Sequence, residues 1–396
     1  MNATASLHTA APGTPTATAP LRVMMLLGGL GVGGAETQAI ALASELQRSG
    51  HVVELVTLTD GPLRTLVESH GLALRVLSRV GGFALTAVPE LTRWFAASTP
   101  QVVYAFLEVQ WLLALAAAAR MPAARRPRVV LGLRTSDYGA HPTQLKARVV
   151  RAIVKLTTPR ADLLIANSRA GLDSFRALVP DAPRGVVVHN GVDVTRFAPS
   201  PALRAQWRHR WSLPIDATVI GHVGRLHPVK NHEMLLRAFA LSSGAAESHH
   251  LVCVGHGNAD RIAALERLAD TLGIGSRVHF VGGEDDTSTV YPAFDILALT
   301  SQREGFPNVV AEAMSCGVPA VVTDTGASSA IVAGIGEVTP VGDADAFAGG
   351  LTRLLAHRSS ALSQESRTHI TTNFSLGAAA SHTAAALQSL LQVNIV

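Results

Sequence analysis

Lysine is nearly missing from this chain: it occurs only at positions 146, 155 and 230, so arginine carries almost all of the positive charge. Cysteine is nearly missing too, with Cys253 and Cys316 far apart, in apolar surroundings and in no metal-ligand spacing. That excludes a disulfide framework or a thiolate metal site and reads as two reduced core residues of a cytoplasmic protein. No apolar run reaches the ~18 residues that a membrane span requires. The best, 111–119, is bounded by Glu108 and Arg120 and reads as a buried helix. The N-terminus lacks the basic start and apolar stretch of a secretory leader. Residues 1–20, rich in Ala, Thr and Pro, have no apolar pattern able to pack and are expected to form a disordered tail. Charged residues make up only 16% of the chain, and no basic–aromatic interleaving occurs, so nucleic acid is not an expected partner. The mild positive balance, +4, suits phosphate-bearing ligands or an anionic membrane surface.

What is present is a long α/β pattern. A chain of 396 residues that is 48% hydrophobic is long for one domain and sufficient for two. Short β-type runs alternate with amphipathic helical stretches. Strands are expected at 21–27, 52–59, 73–77, 101–105, 128–133, 162–166 and 185–189, with helices between them, among them 35–48 and 62–69. Residues 197–213, with Pro199, Pro201 and Pro214 in or beside them, read as a linker carrying a short helix. The alternation then restarts, with strands at 218–223, 251–254, 278–281, 296–299 and 320–323. The pattern predicts two doubly wound, Rossmann-like domains in tandem, each a parallel sheet with helices on both faces. A ligand cleft is expected between them, at the carboxyl ends of the strands.

Three segments carry chemistry. The first is the turn Gly28-Gly29-Leu30-Gly31-Val32-Gly33-Gly34-Ala35-Glu36, which follows the first strand and opens a helix. Glycines let the backbone approach a ligand and present N–H groups to negative charge. Gly29, Gly31 and Gly34 also satisfy a dinucleotide pattern, but the acid expected about 20 residues on would be Glu54, inside the second strand and read as an exposed strand residue. A tight turn without a ligand fits equally well.

The second is Val223-Gly224-Arg225-Leu226-His227-Pro228-Val229-Lys230, which leaves the first strand of the second half. Arg225 supplies a planar fork and Lys230 a point charge, a pair able to neutralise a departing diphosphate. The third is Thr300-Ser301-Gln302-Arg303-Glu304-Gly305-Phe306-Pro307-Asn308, which leads into a helix ending at Cys316-Gly317. Pro307 suits the first helical turn and Gly317 the C-terminal cap, and the helix start makes an anion-friendly nest. Glu304 and Glu312 are more than a helical turn apart, which suits contacts to separate hydroxyl groups and not a shared metal or an acid–base dyad.

Taken together these segments resemble the retaining GT-B glycosyltransferases of family 4. The marks run over nearly the whole chain after the tail: Gly33-Gly34-Ala35-Glu36; Asn167-Ser168; Val188-His189-Asn190-Gly191-Val192-Asp193 with Phe197; Val223-Gly224-Arg225-Leu226 with Lys230. They continue with Glu304-Gly305-Phe306-Pro307, Glu312-Ala313-Met314, Gly317-Val318-Pro319, Pro340-Val341-Gly342-Asp343 and Phe374-Ser375. The resemblance implies an acceptor-side domain at 21–195, a donor-binding domain at 196–375 and a C-terminal helix at 376–396 that crosses back onto the first domain. It implies that Arg225 and Lys230 bind the donor diphosphate, Glu304 the transferred sugar and Glu312 the ribose. Backbone groups of Gly305, Phe306, Pro307 and Asn308 would place that sugar, and Gly33 and Gly34 would close over the phosphates. It also implies same-face transfer with retained configuration, from a nucleotide-diphosphate sugar, UDP by default, with no metal or other cofactor.

Two positions depart from the family's pattern. Arg134 stands at or near a place where many members carry histidine, and Ala330 stands where many carry glutamate. They keep a non-catalytic, partner-binding homologue in play. A sugar-nucleotide epimerase or an NAD-dependent oxidoreductase on related halves is the other class; the oxidoreductase leaves Arg225, Lys230 and both glutamates unexplained. Arg134, Asp137, Tyr138 and His141, in the loop after the fifth strand, are candidates for contact with a glycan or lipid-linked acceptor. In the helix expected at 142–157, Arg148, Arg151 and Lys155 share one face, with Val149, Val150, Ile153 and Val154 on others. That face suits peripheral docking at the inner surface of an anionic membrane, or plain solvation.

Overall fold

The computed structural model describes residues 19–31, 33–77, 84–139, 145–243 and 248–392. Most of the expected tail, and His141, lie outside these ranges.

The first half alternates as its hydrophobic pattern predicts: β1 (Arg22–Leu27), α1 (Gly34–Arg48), β2 (Val52–Thr57), α2 (Arg64–Ser69) and β3 (Ala73–Val76). It continues with α3 (Val88–Ser98), β4 (Val102–Phe106), α4 (Glu108–Ala119), β5 (Arg128–Leu133), α5 (Leu145–Thr157), β6 (Leu163–Ala166), α6 (Arg169–Leu178) and β7 (Gly185–Val187). The strands form one parallel sheet in the order β3-β2-β1-β4-β5-β6-β7. Both faces are apolar, as a sheet covered on two sides requires. In β1, Met24 and Leu26 enter one core while Val23, Met25 and Leu27 enter the other. Helix α4, anchored by the Trp111 indole N–H on the Ala105 carbonyl at 3.0 Å, is the buried helix expected around 111–119.

Helix α7 (Pro201–Arg210) leads into the second half, capped by the Ser200 hydroxyl on the Leu203 N–H. There follow β8 (Thr218–Val223), α8 (His232–Ser243), β9 (His249–Val254), α9 (Ala259–Thr271), β10 (Val278–Phe280), β11 (Ile296–Leu299), α10 (Asn308–Ser315), β12 (Ala320–Thr323), α11 (Ser328–Val332) and β13 (Glu337–Thr339). Three helices end the described chain: α12 (Ala344–Ala356), α13 (Ser360–Asn373) and α14 (Leu376–Gln392). The second sheet is also parallel, in the order β10-β9-β8-β11-β12-β13. The short edge strand β13 was not among the expected strands. Three residues carry too little periodicity to declare themselves, and pairing with β12 makes them a strand.

The chain returns to the first half at its end. Val192 accepts from Leu376 N–H at 3.0 Å and donates to Phe374 O at 2.8 Å. A Cβ on Gly191 would lie 2.7 Å from the Leu376 backbone, so this crossing requires glycine. Beyond it, Ala380, Ala384 and Leu387 of α14 share a core with Ile40 and Leu46 of α1. Among the described residues no helix is long and apolar enough to cross a membrane.

The expected exposed Glu54 is corrected: it pairs with Arg75 on the neighbouring strand β3, its side chain only 16% exposed. Cross-strand register, which single-sequence reading cannot supply, gave it a partner.

Candidate functional site at the domain cleft

Each sheet reverses its winding once, between β1 and β4 and between β8 and β11. At such switch points adjacent loops diverge and leave a crevice beyond the strand ends. The glycine-rich turn follows β1. The Arg225–Lys230 loop follows β8, and the Glu304 loop follows β11, its neighbour in the sheet. Topology therefore brings together residues more than seventy positions apart.

Lys230 Nζ donates to Glu304 Oε1 at 2.6 Å, with the two side chains 19% and 14% exposed. The Lys230 backbone is held from the β11 side: the Thr300 hydroxyl donates to Lys230 O at 2.9 Å and to Asn231 O at 3.1 Å, and Gln302 N–H donates to Val229 O at 2.8 Å. Arg225, on the same loop, is exposed. The Glu304–Gly305 backbone is braced by the turn after β12, where Ala327 N–H donates to Gly305 O at 3.0 Å. Gly326, at φ +59°, lies against the two carbonyls with no room for a Cβ. Pro307 is the residue that caps α10 and not, as expected, part of its first turn. Phe306 is buried and packs near His189 and Phe374, with ring centroids 5.7 and 5.9 Å away.

Glu312, inside α10, is half-buried. Burial raises its pKa, opposed by the Tyr291 hydroxyl, which donates to Oε2 at 2.6 Å. Burial and the adjacent Glu312 push the Tyr291 phenol far above its usual range, so it stays a donor.

The first domain meets this helix start. A Cβ on Gly34 would stand 3.6 Å from Asn308 Nδ2, so the N-termini of α1 and α10 face one another. Asn190 Nδ2 donates to Asn308 Oδ1 at 2.9 Å, and Arg303 pairs with Asp137 at 2.9 Å. Arg134 departs from its expected acceptor-facing role. Its guanidinium turns inward, donating to Tyr104 Oη at 2.5 Å and to Asn190 Oδ1 at 3.1 Å, 4.5 Å above the Phe106 ring. Asp137 is engaged across the cleft by Arg303; Ala330 is exposed on α11.

Thr300, Tyr291, Asn190 and Arg303 carry contacts that sequence reading did not assign. The same holds for His222 and His232, stacked edge to face 4.5 Å apart beneath the Lys230 loop. Burial lowers their pKa values to about 4 and about 2, so both are neutral near pH 7. Asn190, Thr300 and Arg303 lay within quoted segments but were given no role there; Tyr291, His222 and His232 lay outside them, and their partners arrive through the sheet order.

The arrangement defines a two-domain protein of the GT-B class: paired parallel α/β sheets whose switch-point loops meet at one cleft, with Lys230 paired to Glu304 beside two facing helix N-termini. Family models agree. "Glycosyltransferase Family 4" matches residues 32–196 and "Glycosyl transferases group 1" matches 217–357, together more than three quarters of the chain. The chain belongs to this family, group 1, family 4. It is 35% identical over 175 residues to D-inositol 3-phosphate glycosyltransferase of Mycobacterium tuberculosis, a match covering 42% of this chain and 35% of that protein. The chain thus spans about a third of the length of these curated relatives. Among solved structures, HepE of Anabaena, crystallised with UDP, superposes with TM-score 0.78 at 23% identity, covering 93% of this chain and all of that one. Sucrose-phosphate synthase of Thermosynechococcus elongatus gives TM-score 0.75 at 20% identity over 94% and 100%. At these identities the structural likeness speaks for the fold.

Proposed function

We propose that the chain transfers a hexosyl or N-acetylhexosaminyl group from a nucleotide-diphosphate sugar to a glycan or lipid-linked acceptor, with retained configuration and without a metal ion. The contact between Lys230 and Glu304 carries this reading: a cation and a carboxylate, both mostly buried, held beside two facing helix N-termini. An incoming diphosphate offers Lys230 a stronger counter-ion and frees Glu304 to accept from sugar hydroxyls. UDP is the favoured nucleotide; HepE of Anabaena, of the same fold, has been crystallised with UDP and with UDP-glucose.

In the proposed reaction the bond from the anomeric carbon to the diphosphate oxygen breaks. The acceptor oxygen bonds to that carbon from the same face, and its proton passes to the departing diphosphate. Negative charge grows on the diphosphate, where Lys230, Arg225 and the amides at the starts of α1 and α10 stabilise it. Glu312 is the proposed acceptor for the ribose hydroxyls.

The acceptor side is proposed to face an anionic membrane at the inner surface. On α5, Val154 is buried, while Val149, Ile153 and Leu156 are 50%, 41% and 70% exposed, beside the exposed Arg148 and Lys155. The apolar residues of α5 thus form, in part, a ridge in solvent. The loop that precedes α5 leaves the carboxyl end of β5, so docking this helix brings the membrane to the acceptor side of the cleft.

The test is transfer or hydrolysis of a UDP-sugar by the purified chain. Lys230→Ala is expected to lower kcat/KM by about 10²–10³-fold, the range for losing one preorganised charge-stabilising donor, with the melting temperature little changed. Wild-type turnover is expected to survive chelator. Normal turnover in Lys230→Ala would sink the proposal.

A further inference from the structure

A cavity of about 610 Å³ opens at the amino-terminal ends of β11 and β12, the opposite end of the sheet from the loops that form the cleft. Its lining carries three guanidinium groups, Arg204, Arg358 and Arg367, and one carboxylate, Asp295. Asp295 is saturated by the protein itself. Its Oδ1 accepts from Arg204 at 2.7 Å and Arg358 at 3.1 Å, and its Oδ2 from Arg208 and the Val219 N–H, both at 2.8 Å. Its side chain is only 8% exposed, so it offers an incoming ligand little negative charge. Arg367 has no carboxylate among the described residues; it donates to the carbonyls of Phe197, Ser315 and Val194. The cavity wall therefore bears positive charge that the fold leaves uncompensated. Helices α7 and α13 both begin at its rim and add the positive ends of their dipoles.

Arginine forks match the oxygens of a phosphate, and a surplus of them selects a dianion. A volume of this size, within the ~300–1,000 Å³ of small-molecule sites, holds more than a bare ion. Pro199 and Pro201, both exposed in the lining, give it an apolar wall against which a ring can lie. We propose that this cavity binds a small phosphate monoester of sugar-phosphate size, at a site separate from the donor cleft. The residues that follow α10, Cys316 and Gly317, also line it, whereas Asn308 starts that helix in the cleft. An occupant thus touches the far end of the helix that carries Glu312.

The test is a thermal shift of the full chain with ribose 5-phosphate, and ribose as the control. A ligand bound only by the folded state raises the melting temperature, here by about 2 °C or more near saturation, while ribose does nothing. Arg358→Glu is expected to abolish the rise. Gln364→Glu, which adds a carboxylate at an exposed lining position, does the same without touching the Asp295 cluster. Lys230→Ala is expected to keep the rise, since its site is elsewhere. Absence of a rise in the wild type, a rise that survives both cavity variants, or a rise lost in Lys230→Ala overturns the proposal.

Discussion

Asn190 joins the two domains at the start of α10: its Nδ2 donates to Asn308 Oδ1 at 2.9 Å while its own Oδ1 accepts from Arg134 at 3.1 Å. Arginine has only donors, so it dictates which way the Asn190 amide points, and through it the Asn308 amide. Arg134 thereby acts on the donor-side helix through Asn190.

Replacing Arg134 with Leu removes that orientation and leaves the buried Tyr104 hydroxyl without its partner. The expected loss of stability is about 1–3 kcal/mol, the range for an orphaned buried polar group. The Michaelis constant for the donor is expected to rise more than kcat falls. Urea denaturation and donor saturation curves check the two effects separately, and an unchanged donor KM would count against this orienting role.

Gly305 lies where the domains touch. A Cβ there would stand 2.7 Å from the Arg134 carbonyl and 3.1 Å from Asn167 Nδ2, both in the first domain. Gly305→Ala must push the domains apart, at about 1–3 kcal/mol against the closed arrangement. Small-angle scattering is expected to show a larger radius of gyration, and donor affinity to fall about 5- to 150-fold. The Asp137–Arg303 pair, with side chains 31% and 58% exposed, adds no more than about 1 kcal/mol to the same closure.

His222 and His232 make stability depend on pH. Their folded pKa values, about 4 and about 2, lie below the unfolded value of 6.5, because burial penalises the charged ring; His222, Arg261 and Lys230 add to the effect at His232. Protonation therefore favours the unfolded chain. Their contribution is complete above pH 6.5 and is lost as the pH falls, by up to about 1.4 kcal/mol per pH unit for each group. His232→Phe keeps a ring against His222 and removes one titrating site. The fall in urea midpoint between pH 6.5 and pH 4 is expected to be shallower in that variant; an equal slope would show that His232 is not responsible.

The α5 ridge predicts binding to vesicles containing phosphatidylserine or phosphatidylglycerol and little binding to neutral ones, with salt weakening it. Leu156→Glu, at a position 70% exposed, is expected to abolish co-flotation while leaving the melting temperature within about 1 °C. Binding retained by that variant would remove α5 as the docking element.

Much of the fold was legible because doubly wound sheets write themselves as short apolar runs separated by amphipathic helices. Strands 128–133, 218–223, 296–299 and 320–323 agree with the structure to the residue, and the others differ at their ends by a few. β13 escaped, being three residues on a sheet edge. At the site, Lys230, Glu304 and Glu312 were recognisable from their place after strands and around a helix start. Tyr291, Thr300 and Asn190 were not assigned a part, because a hydroxyl or amide has no sequence signature until its partner is beside it.

The order of residues by itself determined two α/β units, a glycine-rich turn, a cationic loop and a carboxylate-flanked helix start, because periodicity and turn chemistry are local. Only the tertiary structure decided that β8 lies next to β11, putting Lys230 on Glu304, that Arg134 turns inward to steer Asn190, that Tyr291 holds Glu312, and that half the apolar face of α5 stays in solvent. Each of these depends on which distant segment packs alongside, and strand order and domain docking are set by the free energy of the whole packed chain.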